Sequence, residues 1–163
     1  MSRFALFIGL LNLLVAVDTG AVGLAQGEAN VTQHDAPIYE REPYDEITLK
    51  EDASGNGGTF RVRPLKFLDR PPDEYPTSGV LRVEVWHAGE FQQAELSWQK
   101  IAKVELFEQL VLATANRLVA RNEFDQAYDH YGFMRKHYPQ WPGLSEATHN
   151  FLYRNAGVLF QQR

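Results

Sequence analysis

The side chains that could take part in chemistry are scattered along the chain. The five histidines are His34, His87, His130, His137 and His149. None has a second histidine four residues away, the helical spacing that brings two imidazoles to one metal ion, and His130 and His137 have no third ligand close in sequence. We therefore expect no metal site and interpret the histidines as solvated or half-buried side chains.

The carboxylates and serines give no catalytic pattern either. Glu123, Asp125 and Asp129 surround the start of a predicted helix, but a general acid needs surroundings that raise its pKa, and these positions are typical of a solvated helix face. No serine lies in a Gly-x-Ser-x-Gly elbow, and the glycines of residues 55–58 are not followed by the Lys-Ser/Thr of a phosphate-binding loop. We predict a protein that is not an enzyme, with no catalytic residue and no cofactor.

Composition narrows the class of protein further. The chain has 163 residues, of which 44% are hydrophobic, and its formal net charge is -5. These values are typical of a globular protein and argue against a nucleic acid partner, which would require a basic surface. The absence of cysteine excludes disulfides, a catalytic thiol and cysteine-bound zinc.

The N-terminal residues 1–25 have the pattern of an export signal. Arg3 provides the positive charge, residues 4–17 are apolar, and small residues precede a cleavage point at Ala25, with Ala21 as an alternative. An uncleaved N-terminal anchor is the other interpretation, and it would be the chain's only membrane contact. Residues 26–44 are polar and lack a regular period, which predicts a flexible linker. The expected location is the periplasm, the cell envelope or the outside of the cell.

Apolar and polar residues alternate between residues 45 and 105, which predicts short strands. The alternating apolar positions are Ile47 and Leu49, then Phe60 and Val62, then Leu81, Val83 and Val85. A fourth strand is expected over residues 94–98 and a fifth over residues 102–106. So many short strands in so few residues predict a small antiparallel barrel or sandwich, of which an SH3-like barrel is one form.

Helical spacing replaces the alternation after residue 105. Apolar residues three and four apart predict a first helix that ends near Arg121, and Asn122 suits the left-handed conformation at its end. A second helix is expected from about Asp125 to His137 or Tyr138. A third helix, with Ser145 as N-cap, carries apolar residues that have no following helix to cover them, namely Phe151, Leu152, Leu159 and Phe160.

The second helix carries the clearest signature. Phe124 lies in an Asn-x-Phe-Asp-x-Ala turn that ends at Ala127, Tyr131 follows four residues later, and Pro139 comes eight residues after that. This pattern resembles the second half of the tetratricopeptide repeat, a helical hairpin of about 34 residues. The alternative is a generic helical hairpin in which these residues coincide by chance.

The neighbouring helices match the repeat less completely. Counting back from the second helix, Ala115 occupies the small position and Leu118 the large one, but Thr114 and Val111 replace the usual leucine and tryptophan. In the third helix, Gly157 and Phe160 have the small-x-x-aromatic spacing. The sequence thus predicts one repeat and the first helix of a second, apparently truncated, over residues 106–163.

Three further segments carry a second resemblance. Residues 38–50, 97–108 and 152–157 resemble the N-terminal region of large exported bacterial proteins identified as solute-binding components of oligopeptide ABC transporters. The resemblance implies that a β region followed by helical repeats precedes solute-binding lobes, and those lobes are absent from these 163 residues. Peptide binding is therefore assigned to no residue of this chain on this basis.

Together these patterns predict an α+β protein in which a small β domain precedes TPR-like helical hairpins. The expected function is that of an exported, non-catalytic module that contacts a protein or peptide partner. Direct binding of a peptide or solute for ABC uptake, and a stand-alone structural role in the envelope, are the alternatives.

Overall fold

The alternating residues form five antiparallel strands, and the residues with helical spacing form three helices. The computed structural model describes residues 36–51 and 57–161. The strands are β1 (Asp45–Leu49), β2 (Gly58–Val62), β3 (Val80–His87), β4 (Glu90–Ser97) and β5 (Ile101–Glu105). The helices are α1 (Phe107–Ala120), α2 (Phe124–His137) and α3 (Leu144–Gln161). The mixed α+β class is confirmed. The predicted signal segment, its cleavage position Ala25, His34 and the first part of the predicted linker lie outside the described residues.

The strands form one open sheet in the order β4-β3-β2-β1-β5. The described strands form a single sheet that is not closed, so the predicted closed barrel or two-sheet sandwich was wrong for these residues. The SH3-like arrangement of the strands stays a prediction. Ile47 pairs with Phe60 on one side and with Val104 on the other. The sheet buries its apolar face against the long β2–β3 connection, whose Leu65 and Phe67 pack on Ile47 and its neighbours. With that cover, the sheet does not need to close on itself.

The strand boundaries differ from the predicted ones at β4. This strand begins at Glu90 and pairs with β3 along its whole length, because Ala88 and Gly89 form a two-residue turn with φ of 51° and 92°. Such positive φ values are those of the hairpin turns that match the twist of a sheet. Trp98, which was predicted to end the strand, is buried in a short 3-10 turn that follows it.

The helices stack side by side around their own core. Asn122 separates α1 from α2 with φ of 61°, which confirms the predicted left-handed end of the first helix. Helix α3 begins at Leu144, so Ser145 lies inside its first turn and is not its N-cap as predicted. The core residues of the three helices are Leu106, Phe107, Val111, Ala115, Leu118, Val119, Ala127, Tyr131, Met134, Leu144 and Phe151, together with Trp141 from the α2–α3 turn.

The sheet and the helices belong to one compact unit. Phe67 and Val104 pack against both apolar cores and so join them. Residues 36–44, which were predicted to be flexible linker, contact the helices, since Ile38 and Tyr39 pack on the helical core. Within the described part of the chain, no helix has the length and apolar character required to cross a membrane.

Candidate functional site

The predicted repeat residues fall into two groups. Ala115, Leu118, Ala127 and Tyr131 are buried in the helical core. The alanines are fully buried, as expected where two helices cross closely. The structure therefore brings these four residues of the first predicted repeat together.

The residues of the predicted second repeat are not part of that core. Gly157 is exposed and has no neighbour within 4 Å of the position that a Cβ would take, and the side chain of Phe160 is 83% exposed. The two remaining residues of the first repeat are less buried than its other four. Phe124 is half-buried and packs against the helical core, with its ring centroid 6.3 Å from that of Phe151. Pro139 follows the end of α2 and is exposed.

Tyr131 connects α2 to both other helices. Its hydroxyl donates a 2.6 Å hydrogen bond to Oδ1 of Asn116 on α1, and its ring lies 5.2 Å from that of Phe151 on α3. Burial raises the pKa of the Tyr131 hydroxyl. Phe151, which was predicted to be uncovered, is buried in the helical core.

A groove of about 630 Å³ runs between α1 and α3, with Tyr131 at its base. Its polar side chains are Asn116, Glu146, Asn150 and Arg154, and its apolar ones include Leu112, Phe151 and Tyr153. A side-chain amide both donates and accepts hydrogen bonds, so Asn116 and Asn150 match the groups of a peptide bond. Tyrosine and arginine, which line the groove at Tyr153 and Arg154, are enriched among the residues that contribute most to binding at protein interfaces.

A second cleft, of about 770 Å³, lies where residues 36–44 cross α1 and α2. His130 lines it, and Nδ1 of its ring is 2.7 Å from the carbonyl oxygen of Gln126. Because a carbonyl only accepts hydrogen bonds, Nδ1 is the donor in that contact. The buried Nε2 has no hydrogen-bond partner among the described residues, and the ring of Tyr39 packs edge-on against the imidazole at 4.7 Å between centroids.

The carboxylates near the start of α2 are largely accessible to solvent, as predicted for a helix face. Asp125 and Asp129 are exposed and Glu123 is half-buried. In residues 36–51 and 57–161, no three His, Asp or Glu side chains cluster in a way that could hold a metal ion.

A cluster that sequence reasoning missed joins the sheet to the helices. Arg70, from the β2–β3 connection, forms ion pairs with Asp45 on β1 and Glu108 on α1, at 2.7 and 2.9 Å. Both carboxylates are buried. One oxygen of Asp45 also accepts from the backbone N–H of Phe107, and the other from that of Leu65, each at 2.7 Å. Asp45 thus caps the start of α1 from a different element, where backbone N–H groups lack helical partners.

The guanidinium of Arg70 has no N–H group left for a ligand. Its Nε bonds Glu108, its Nη1 bonds Asp45 and the carbonyl of Leu65, and its Nη2 bonds both carboxylates. Burial alone would lower the pKa of Arg70, but the hydrogen bonds to Glu108 and Asp45 outweigh burial and raise it. The cluster is therefore a structural connection and not a binding site.

One feature of the sequence could have revealed part of this cluster. Asp45 has the same parity as Ile47 and Leu49, so strand alternation places its carboxylate on the apolar face of the sheet. A carboxylate on a buried face requires a partner. The partner itself could not be predicted from the sequence, because Arg70 lies in a proline-rich connection that has no regular pattern of apolar residues.

No known protein family, curated protein or solved structure matches this chain. The site is thus described by its own geometry: a helical groove with amide and aromatic side chains on a rigid hairpin, held to the sheet by a buried ionic cluster.

Proposed function

We propose that this chain is an exported, non-catalytic interaction module that binds an extended segment of a partner polypeptide in the groove between α1 and α3. The groove carries the proposal, because it combines amide side chains that suit peptide bonds with an aromatic base. Its walls are helices packed on a common core, so the groove is formed before a ligand arrives and the entropic cost of binding is reduced.

The proposal also includes a TPR-like structure for the helices and a location in the periplasm or envelope. The burial of Ala115 and Ala127 at the helix crossing supports a TPR-like hairpin. The apparent export signal and the resemblance of residues 38–50, 97–108 and 152–157 to exported peptide-transport proteins support a role in the periplasm or envelope. Uptake of peptides through an ABC transporter is the alternative. The groove would then receive a transported peptide instead of a segment of a protein partner.

The test is a peptide array probed with the full chain. Asn150→Trp should fill the groove from an exposed position, so we expect folding to be kept and peptide capture to fall by about tenfold or more. Gln99→Trp adds the same indole at an exposed position outside the groove and should leave capture unchanged. If the chain captured no peptide on the array, or if Asn150→Trp did not reduce capture, the groove would not be a peptide-binding site. Tight binding of a small metabolite would refute the interaction role.

A further inference from the structure

Helix α3 has two apolar faces, and its own fold covers only one of them. Leu144 and Phe151 are buried against α1 and α2, and Ala147 is half-buried on the same side. On the opposite side, the exposed fractions are 49% for Leu152, 86% for Tyr153, 58% for Leu159 and 83% for Phe160. We call these four residues, with the exposed Ala156 between them, the outer face of α3.

The outer face is symmetric about Ala156. Tyr153 and Leu159 lie three residues before and after it, and Leu152 and Phe160 lie four residues before and after it. At about 100° per residue, all four side chains project within about 60° of the direction of Ala156. If the helix is turned end for end about Ala156, each large apolar residue therefore takes the place of another large apolar residue.

We propose that the outer face binds a second copy of this chain, with the two α3 helices antiparallel and the two-fold axis at Ala156. A two-fold interface requires that if residue i contacts residue j of the other copy, j also contacts i. The outer face meets this condition, because Leu152 would lie level with Phe160 of the second copy and Tyr153 level with its Leu159, so that apolar residues face apolar residues at every level.

The charges of α3 agree with a homotypic contact. Residues 155–161 contain no charged side chain, so two copies bring no like charges together there. Arg154 projects about 160° away from Ala156, on the far side of the helix. An uncharged face also lacks the flanking charges by which helices usually select a different partner.

The centre of the outer face permits close approach. Ala156 has only a methyl side chain, and the neighbouring Gly157 has no atom of another residue near its missing Cβ. Small residues at a helix crossing let the two backbones come near each other. The contact goes beyond the proposed function and can fail without affecting it, since the groove lies on another side of α3 and shares only Tyr153 with the outer face.

Sedimentation velocity of the full chain tests this association. We expect a concentration-dependent shift from the 18.6 kDa monomer to a species of twice that mass. Phe160→Glu should lower the association constant by about tenfold or more, because it places a charge in an apolar contact. Leu68→Glu is the matched control, since Leu68 is fully exposed in the β2–β3 connection and outside the outer face. A chain that stays monomeric up to high micromolar concentration would overturn the proposal.

Disulfide crosslinking tests the register, because the chain has no cysteine of its own. Ala156→Cys lies on the proposed axis and should crosslink to itself under mild oxidation. Leu152→Cys alone should not form a crosslink, because the two copies of residue 152 would be about 12 Å apart along the helix axis. A mixture of Leu152→Cys and Phe160→Cys should form the mixed dimer. A dimer that survives Phe160→Glu, or that Ala156→Cys does not crosslink, would show that another surface is used.

Discussion

Arg70 is the residue on which the ionic contact between the sheet and the helices depends. It supplies the positive charge for two buried carboxylates that come from different elements, Asp45 on β1 and Glu108 on α1. A buried ion pair adds little net stability compared with apolar residues of the same size, yet removing one member leaves the other as an uncompensated buried charge. Removing Arg70 alone should therefore lower the free energy of unfolding by much more than the intact ionic cluster adds to it.

Arg70→Met should lower the free energy of unfolding by about 3–5 kcal/mol, because both carboxylates lose their counter-charge. Urea denaturation followed by circular dichroism measures the change. Arg82→Met is the control, since the Arg82–Glu95 pair is exposed and such pairs contribute about 0–1 kcal/mol. Adding Glu108→Gln to Arg70→Met should recover part of the loss. If Arg70→Met were as stable as the control variant, the buried cluster would not be what holds the sheet to the helices.

At the scale of elements, the turn between α1 and α2 depends on one backbone conformation. Asn122 has φ of 61°, and its N–H donates to the carbonyl of Val119 at 3.1 Å. Asparagine and glycine adopt this left-handed conformation more readily than other residues, and a β-branched side chain adopts it least readily. The turn sets the antiparallel packing of α1 on α2 and hence the shape of the hairpin.

Asn122→Val should destabilise the chain by about 1–2 kcal/mol, because a side chain that is branched at Cβ crowds the backbone in the left-handed conformation more than the unbranched asparagine does. Asn122→Gly should stay within about 0.5 kcal/mol of the original chain. The side chain of Asn122 is exposed, so the pair of substitutions separates backbone strain from loss of packing. Thermal unfolding of both variants measures the difference, and equal melting temperatures would contradict the importance of the left-handed turn.

The elements themselves were largely predictable from local pattern. Periodicity identified the strands and helices because each buries one face, and Asn122 and Pro139 marked the ends of helices by their own conformational limits. How the strands assemble was not predictable in this way. The open sheet depends on cover from Leu65 and Phe67, which lie in an irregular connection, and the burial of Phe151 depends on α2. Such contacts join residues far apart in sequence and leave no local period.

The candidate site was predictable to a similar extent. The repeat spacing placed Ala115, Ala127 and Tyr131 in the core, and the structure puts them there. The groove itself was not visible in the sequence, because Asn116 and Asn150 are exposed polar residues on separate helices with nothing to mark them. Only the packing of α1 and α3 on α2 brings the two amides to one groove.

At the scale of the whole molecule, the two cores should unfold together. Phe67 and Val104 contact both cores, and the ionic cluster of Arg70 links the β2–β3 connection to the start of α1. Loss of either layer would therefore expose apolar surface and unpaired charge belonging to the other. We expect a single cooperative transition, which is the usual behaviour of a domain of this size.

Four tyrosines give that transition a dependence on alkaline pH. Burial raises the pKa of Tyr39, Tyr75, Tyr131 and Tyr138 above the ordinary value of about 10. The carboxylates near three of them act in the same direction, for example Asp45 on Tyr75 and Glu108 on Tyr138. In each case the folded state holds the phenolic proton more tightly than the unfolded state does.

The stabilisation from these tyrosines is present below the unfolded pKa of about 10 and is lost as pH rises above it towards the folded values. The melting temperature should thus fall as pH rises from 9 to 11, and absorbance of the phenolate near 295 nm should rise as the chain unfolds. Tyr131→Phe removes one of the four groups, so its melting temperature should fall less steeply over the same range, although its value at pH 8 is lowered by loss of the bond to Asn116. Equal slopes for the two proteins would mean that Tyr131 ionises as easily in the folded chain as in the unfolded one, and that its hydroxyl is not held in the core between α1 and α3.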